Sequence, residues 1–407
     1  MNIRKTDERL GSPRWRTLWV SSMILDVHLH KQARLNILKE FAGFGHDVSL
    51  IAVRSGYLPR VEDAQVRIRS VPLRYLPFVS TLMFTIALFL AMPFYILKSQ
   101  PDFVIFTQPD AHILSSIPGL VVSRFRKVKF VLDVRSTPVE TVGFHGFLQK
   151  FWFSVSTHLA KHLFHGITFI TERMKEQVCN EFDLDENKVG IWSSGVSTET
   201  FDPQKDIEIS ARLKRKLGLS EKFVVFYHGV FSANRGLSET VQSVKMLKED
   251  HPDVVLYLLG NGPAAPLLEI LVAKEGLHEN VMIHGAVNYA EVPAFIGIGD
   301  VCISPLPNHP YWRYQCPLKL LEYLAMEKVV IATDIPAHRS VCDAEKCCIY
   351  TQSAEPTALA KSIVFACVNK EQLQEWGKAG RLLVEREYTW ERVARNLERY
   401  LKSISLR

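Results

Sequence analysis

The sequence predicts an α/β fold with two doubly wound, Rossmann-like domains that face one another across a cleft. First, short β-rich runs alternate with helical stretches along nearly the whole chain, for example TLWVSSM, DVSLIAV, DFVIFTQ, FVVFYHG and VVLYLLG. Such alternation is typical of βα units in parallel sheets. Second, this rhythm is interrupted at SGVSTETFDPQKDIEIS. Third, 407 residues are enough for two hydrophobic cores.

The interruption predicts the boundary between the domains. We expect an N-terminal domain over residues 1–203 and a C-terminal domain over residues 204–388. The amphipathic stretch at 389–407 predicts a final helix that crosses back to the first domain. In two facing domains of this class the ligand binds at the carboxyl ends of the strands, so we expect the site in the cleft.

Composition favours a soluble protein of the cytoplasm. The amino terminus lacks the continuous apolar stretch of a signal peptide, and the seven cysteines show no CxxC pair and no disulfide-like spacing. The net charge is +6, and residues 1–130 hold 18 Lys and Arg against 9 Asp and Glu. Such a basic face can bind nucleic acid, anionic lipid or a phosphorylated substrate. Because few aromatic residues are interleaved with the basic ones, nucleic acid is not an expected partner.

The stretch CPLKLLEYLAME predicts a helix whose first turn points at a ligand. Pro317 suits the first helical position after the strand VCISPL and its loop, so the unpaired amide groups and the helix dipole form an anion site. Lys319 adds a positive charge, which suits a diphosphate. Glu322 leans back toward the same place, where a carboxylate can accept hydrogen bonds from a ribose diol. The alternative is a salt bridge from Glu322 to Lys319 or to another cation.

Seven motifs follow one another along the chain between Gly45 and Arg339. They are GHDV, GITFITERMKEQV, SGVSTETFDP, RGL, LLGNGP, PLKLLEYLA and ATDIPAHR. Together they resemble the family 4 retaining glycosyltransferases of the GT-B fold. The resemblance implies transfer of a sugar from a UDP- or GDP-linked donor with retention of configuration, without a cofactor and without a metal. It also implies that the first domain binds the acceptor and the second binds the nucleotide sugar.

The resemblance assigns roles to residues of the second domain. Glu322 occupies the position of the second glutamate of the E-x7-E motif, which holds the ribose, whereas the first glutamate is replaced by Tyr314. Of the usual basic pair on the diphosphate, Arg235 remains and Val230 occupies the other position, so that Lys319 can compensate. The catalytic candidates here are Arg235 and Lys319. The donor-binding candidates are Glu322, Leu318, Tyr314, Gly262 and Gly285.

Candidates in the first domain follow two of its strands. Asp133 and Arg135 lie where similar enzymes often carry a histidine that touches the donor sugar, so both are catalytic candidates; a structural pair between them is the alternative. Arginine cannot act as a base at neutral pH, but in such enzymes the leaving phosphate is generally thought to take the acceptor proton. The stretch DVHLHKQAR is similar to a family variant D-x-R-x-x-K-x-A, with His28 in place of the arginine, which makes Asp26, His28 and Lys31 acceptor-side candidates. A packing or hydrogen-bonding role for Asp26 and His28 is the alternative.

The segment Tyr75–Leu97 has no charge in 23 residues and is long enough to span a bilayer. The strands predicted on either side of it belong to one sheet, which a membrane crossing would forbid. Something must therefore cover its outer side. Together with the basic character of residues 1–130, this predicts binding to an anionic membrane surface. We expect a cytoplasmic protein that is peripheral on the inner face of the membrane.

The sequence thus predicts a retaining hexosyltransferase that acts on a lipid-linked or surface-glycan acceptor. A nucleotide-sugar 2-epimerase and a phosphorylase are alternatives on the same fold. The replacements at Tyr314 and Val230 also leave open a catalytically degenerate, transferase-like binding subunit.

Overall fold

The computed structural model describes residues 14–24, 31–54, 65–73, 79–138 and 143–407. The chain forms two compact units, Met1–Trp192 with Ala394–Arg407 and Ser193–Val393. Each unit is built on a parallel sheet with helices in its connections. This confirms the predicted α/β class with two doubly wound domains.

The first unit contains a seven-stranded sheet with the order β3-β2-β1-β4-β5-β6-β7. Its strands are β1 (Arg16–Ile24), β2 (Asp47–Arg54), β3 (Arg67–Pro72), β4 (Phe103–Thr107), β5 (Lys129–Val134), β6 (Gly166–Phe169) and β7 (Val189–Ile191). Its helices are α1 (Lys31–Gly43), α2 (Val79–Ser99), α3 (Ser116–Ser123), α4 (Gly143–Leu163) and α5 (Glu172–Phe182). Because parallel crossovers are right-handed, α1 lies on one face of the sheet and the helices α2 to α5 lie on the other.

The second unit contains a six-stranded sheet with the order β10-β9-β8-β11-β12-β13. Its helices begin with α6 (Pro203–Lys216). The strands are β8 (Phe223–Val230), β9 (Val254–Asn261), β10 (Val281–His284), β11 (Val301–Ser304), β12 (Val330–Thr333) and β13 (Cys348–Thr351). The further helices are α7 (Leu237–Leu247), α8 (Ala265–Lys274), α9 (Val292–Gly297), α10 (Pro310–Arg313), α11 (Leu318–Ala325), α12 (Pro336–Cys342), α13 (Pro356–Val368) and α14 (Lys370–Glu387).

The central strands are apolar on both faces. Every residue of β4 is buried, and so are the first five residues of β8. Continuous apolar runs of this kind are expected where helices cover both sides of a parallel sheet. These runs explain why apolar and polar residues do not alternate clearly within the strands.

The two units divide the chain at 192/193 and 393/394, whereas the sequence predicts boundaries at 203/204 and 388/389. Contacts after Trp192 explain the difference at the first boundary. Val196 pairs with Thr389 in an isolated parallel bridge. The guanidinium of Arg381 donates to the carbonyl oxygen of Thr198 at 3.2 Å. These bonds tie the segment to the second unit.

The last helix, α15 (Trp390–Ser405), is amphipathic and buries Leu397 and Leu401 completely. The Tyr400 hydroxyl donates to the carbonyl oxygens of Ile167, at 3.3 Å, and Lys188, at 2.6 Å. These acceptors lie in β6 and just before β7. The C-terminal helix therefore returns to the first unit, as the sequence predicts.

Two cysteines meet in the second unit. α12 ends at Cys342 and β13 begins at Cys348, and the structure joins the pair in a disulfide. The expectation that no cysteines pair is wrong, because the turn between the two elements brings their side chains together. The sulfur of Cys347 lies beside them, with all three within 4.8 Å of one another. Since a disulfide uses two of these sulfurs, we assign no metal to the group.

Candidate functional site

The candidate site of the second unit lies at the carboxyl ends of β8 and β11, where the strand order reverses. Open α/β sheets bind ligands at such switch points. β8 carries His228 and Gly229 near its end. The loop after β11 leads into α11, which carries Lys319 and Glu322.

The carboxylate of Glu322 is buried and held at both oxygens. His228 Nε2 lies 2.9 Å from Oε2, and the hydroxyl of Tyr289 donates to Oε1 at 3.0 Å. Burial and the adjacent carboxylate raise the pKa of Tyr289 above its ordinary value, so the phenol keeps the proton that it donates. Glu322 is thus bound by groups outside its own helix, and not by Lys319. A carboxylate with two donors can accept further hydrogen bonds.

A second contact fixes α11 against β8. The backbone N–H of His228 donates to the hydroxyl of Tyr323 at 2.9 Å, and the two rings meet edge to face with centroids 5.1 Å apart. The Tyr323 side chain is fully buried, and burial raises its pKa well above the ordinary value. Tyr323 and Glu322, which are neighbours on α11, therefore contact the backbone and the imidazole of His228 on β8.

Lys319 presents a buried ammonium group at the start of α11. Its Nζ has no hydrogen-bond partner among the described residues and lies 3.9 Å from the ring centroid of Tyr227. Burial, and then the charge of Arg235, lower its pKa well below 10.5. A buried cation without a partner is costly, and the cost is relieved by an anion. The first amide groups of α11 have no side-chain cap and add to the positive potential.

Arg235 precedes α7 and supplies a second cation. Its Nε is buried and lacks an acceptor within the described part of the chain, and its guanidinium lies 5.0 Å from the ring centroid of Trp312. The Trp312 Nε1–H donates to the carbonyl oxygen of Asn234 at 3.0 Å, which fixes the ring below the guanidinium. Two adjacent cations that form no ion pair within the described residues favour a ligand with at least two negative charges.

Gly262 allows two loops to approach closely. Its φ is +156°, and a Cβ there would lie 2.3 Å from the carbonyl oxygen of Phe231. Only glycine fits this conformation and spacing. The loop after β9 therefore lies close to the backbone of Phe231, and the contact of Gly262 with a donor stays a prediction.

The other donor-binding candidates lie around α11 and β10. Leu318 is the first residue of α11 and is half-buried, while Tyr314 follows α10 and is also half-buried. Gly285 follows β10 and has open space where a Cβ would stand. Their roles in donor binding stay predictions.

In the first unit, Asp133 is fully buried at the carboxyl-terminal end of β5. It accepts hydrogen bonds from Arg34 Nη1 at 2.9 Å and from Thr168 Oγ1 at 2.9 Å. The Thr168 hydroxyl also accepts from the indole N–H of Trp192 at 3.2 Å. Asp133 thus pairs with Arg34, whereas the sequence analysis considered only Arg135 as its partner. These contacts favour a positioning role, and its catalytic role stays a prediction.

Arg135 packs on the same tryptophan. Its guanidinium carbon lies 3.8 Å from the ring centroid of Trp192, and Nη1 donates to the carbonyl oxygen of that residue at 2.7 Å. Of the acceptor-side candidates, Asp26 and His28 lie outside the described residues. Lys31 is the first residue of α1.

Two family models match the chain in succession. The model described as Glycosyltransferase Family 4 matches residues 35–200, and the model described as Glycosyl transferases group 1 matches residues 210–383. The chain belongs to the family 4 glycosyltransferases.

The chain is distantly similar to several curated glycosyltransferases. The α-D-kanosaminyltransferase of Streptomyces kanamyceticus is 25% identical over 174 residues, which cover 42% of each chain. The chain spans about half the length of the curated relatives it matches. Its fold is similar to sucrose-phosphate synthase from Thermosynechococcus elongatus, with a TM-score of 0.74, 15% identity and coverage of 95% and 98% of the two chains. Anabaena HepE in complex with UDP has a TM-score of 0.72, 12% identity and coverage of 95% and 100%. These likenesses support the GT-B fold.

Sequence reasoning missed the residues that hold the candidates in place. His228 and Tyr289 hold Glu322, and Arg34 and Thr168 hold Asp133. His228 is separated from Glu322 by 94 positions. A histidine two residues before the end of a buried strand was the one available signal, because such a residue lies at the ligand edge of the sheet.

Proposed function

We propose that this glycosyltransferase moves a sugar from a UDP- or GDP-linked donor to an acceptor with retention of configuration. The observation that carries the proposal is the arrangement on α11. There the buried Lys319 ammonium, which has no hydrogen-bond partner among the described residues, precedes the Glu322 carboxylate by one helical turn. A nucleoside diphosphate offers charges and hydroxyl groups that complement both. Anabaena HepE, which shares the fold, has been crystallised with UDP and with UDP-glucose.

In this proposal the second unit acts by stabilising the leaving diphosphate. Lys319, Arg235 and the first amide groups of α11 oppose the negative charge that grows on the phosphate as the sugar departs. Glu322 fixes the ribose and so the direction from which the phosphate enters. The leaving phosphate itself can take the proton of the acceptor hydroxyl, and no separate base is required.

The first experiment is calorimetry of the purified chain with UDP, GDP and the matching nucleosides. We expect a diphosphate to bind and its nucleoside to bind much more weakly, because the cations contact the phosphates. Arg235→Ala should reduce this difference, while the exposed Lys248→Ala serves as a matched control. A chain that binds no nucleoside diphosphate would contradict the proposal.

The second experiment is donor turnover. Donor consumption that depends on an acceptor indicates a transferase, whereas sugar isomerisation without an acceptor indicates an epimerase, and dependence on inorganic phosphate indicates a phosphorylase. Binding without any turnover would indicate the degenerate subunit that Tyr314 and Val230 suggest. NMR of the first product should show a retained anomeric configuration.

We further propose that the acceptor is a lipid-linked or surface glycan and that the protein is peripheral on the cytoplasmic face of a membrane. The support is α2, which by length and composition could cross a bilayer. The strands on either side of it, β3 and β4, belong to one sheet. Its residues Phe84, Leu88 and Met92 are buried against the unit. These contacts fit a helix whose opposite side lies in the membrane interface better than a helix that crosses the membrane.

A further inference from the structure

The helices α2, α3, α4 and α5 form one layer on the sheet of the first unit. Each of these helices lies in a connection that runs in the same direction along the sheet. Because such connections are right-handed, the four helices lie on one face. α3 packs closely on α2, since a Cβ at Gly119 would lie 2.9 Å from side-chain atoms of both Met92 and Ile96. α4 packs on α5 through an edge-to-face contact of Phe153 with Phe182. The turn Ala111–Ser115 contacts both α2 and α4 and so joins the two pairs. The outer sides of these helices thus form one continuous surface.

This surface is apolar over three of its four helices. On α2, Leu90 is 74% exposed and Phe94 is 63% exposed. The further large apolar side chains that are exposed on α2, α3 and α4 are Val79, Leu82, Met83, Ile86, Phe89, Leu97, Ile117, Val121, Phe144, Phe147, Phe151 and Leu163. Soluble proteins rarely expose so large a contiguous apolar area unless it contacts a partner or a membrane.

The same three helices contain no acidic residue, and neither does the turn between α3 and β5. That turn has the sequence Arg124–Phe125–Arg126–Lys127, with all four residues exposed and Phe125 at 85%. α5 differs, because its exposed residues include Glu172, Glu176 and Glu181 and no large apolar side chain. The apolar, acid-free surface therefore ends at α5 and is a property of α2, α3 and α4.

We propose that the outer sides of α2, α3 and α4, with the turn Arg124–Lys127, bind the interface of an anionic lipid bilayer. The proposal rests on the proposed function, whose acceptor is lipid-linked or at the cell surface, and adds α3, α4 and the turn as contacting elements. Leu90, Phe94 and Phe125 enter the boundary between headgroups and acyl chains. The basic residues of the turn contact lipid phosphates.

Charge favours a bilayer over a second copy of the chain. A symmetric dimer through this surface would oppose its basic residues to one another, and no carboxylate on the same helices could pair with them. An anionic bilayer supplies negative charge together with an apolar layer. An anionic bilayer therefore complements both the apolar side chains and the basic residues of this surface.

Sedimentation with vesicles tests the proposal in the absence of nucleotide. We expect the chain to bind vesicles of phosphatidylcholine with phosphatidylglycerol, to bind phosphatidylcholine alone weakly, and to be released by high salt. Replacing Arg124, Arg126 and Lys127 by Gln should lower partitioning about a hundredfold, since each basic residue contributes roughly a fivefold gain beside anionic lipid. The exposed basic residues of α6 provide the matched control, with Arg212, Arg215 and Lys216 replaced by Gln.

The apolar part is tested by Phe94→Glu, with Ile270→Glu as control because both side chains are 63% exposed. Only Phe94→Glu should lower vesicle binding, while both variants keep the melting temperature and the UDP affinity of the parent. Absence of binding to anionic vesicles would overturn the proposal. So would a dimer in solution that Phe94→Glu dissociates. If the chain binds vesicles but no nucleotide, the proposed function is refuted, while the assignment of this surface to membrane binding stands.

Discussion

Replacing Glu322 by Gln is the most direct test of the site. The carboxylate is 7% exposed and holds His228 at 2.9 Å and Tyr289 at 3.0 Å, so its remaining lone pairs are available to a ribose diol. Glutamine keeps the shape and removes the charge. His228 can accommodate the new amide by moving its proton to Nδ1, which is buried and has no partner in the part of the chain that the structure describes. We therefore expect a small decrease in melting temperature.

The larger effect should be on nucleotide affinity. A hydrogen bond to a charged group contributes roughly 1.5–3 kcal/mol, which corresponds to about a ten- to hundredfold weaker UDP or GDP complex. Calorimetry should compare each nucleotide with its 2′,3′-dideoxy analogue in the parent and in Glu322→Gln. The exposed Glu269→Gln is the control. If the variant weakens the ribose and dideoxy forms equally, Glu322 does not contact the diol and the reasoning fails.

Three further predictions concern charge and packing. Burial lowers the pKa of Lys319 well below 10.5, and a bound diphosphate should raise it again. Between the pKa of the free protein and that of the complex, binding therefore takes up a proton, and affinity falls as the pH rises. Calorimetry in buffers of different ionisation enthalpy should detect this uptake in the parent and not in Lys319→Met. Gly262→Ala should destabilise the fold by about 1–3 kcal/mol in chemical denaturation, because its φ is +156° and its Cβ would approach Phe231, whereas Gly285→Ala should be neutral; equal effects would contradict the strain argument. Asp133→Asn should cost roughly 3 kcal/mol, since it leaves a largely buried arginine without its carboxylate, and an unchanged denaturation midpoint would refute the pair.

Local patterns in the sequence were sufficient for the class of the fold. Alternating apolar runs predict βα units because each strand and helix must bury its own apolar residues, and this signal does not depend on distant partners. The helix at Leu318–Ala325 could be predicted in the same way. That its first turn and Lys319 bind an anion stays a prediction. The family motifs then made Glu322 a donor-binding candidate, because they preserve order and spacing along the chain.

Partners far apart in the sequence could not be predicted in this way. Asp133 pairs with Arg34, which lies 99 positions earlier, and not with nearby Arg135 as one alternative proposed. Register between strands decides such pairs, and a sequence pattern reports only the periodicity within one strand.

The orientation of α2 also required the tertiary structure. The sequence showed that Tyr75–Leu97 is apolar on all sides and needs a cover, but not which side faces the sheet. Leu88 is 1% exposed and Leu90 is 74% exposed, although both are leucines two positions apart. A helix that is apolar all around has no amphipathic pattern to reveal its inner side, so its packing against α3 and the sheet decides which residues remain on the surface.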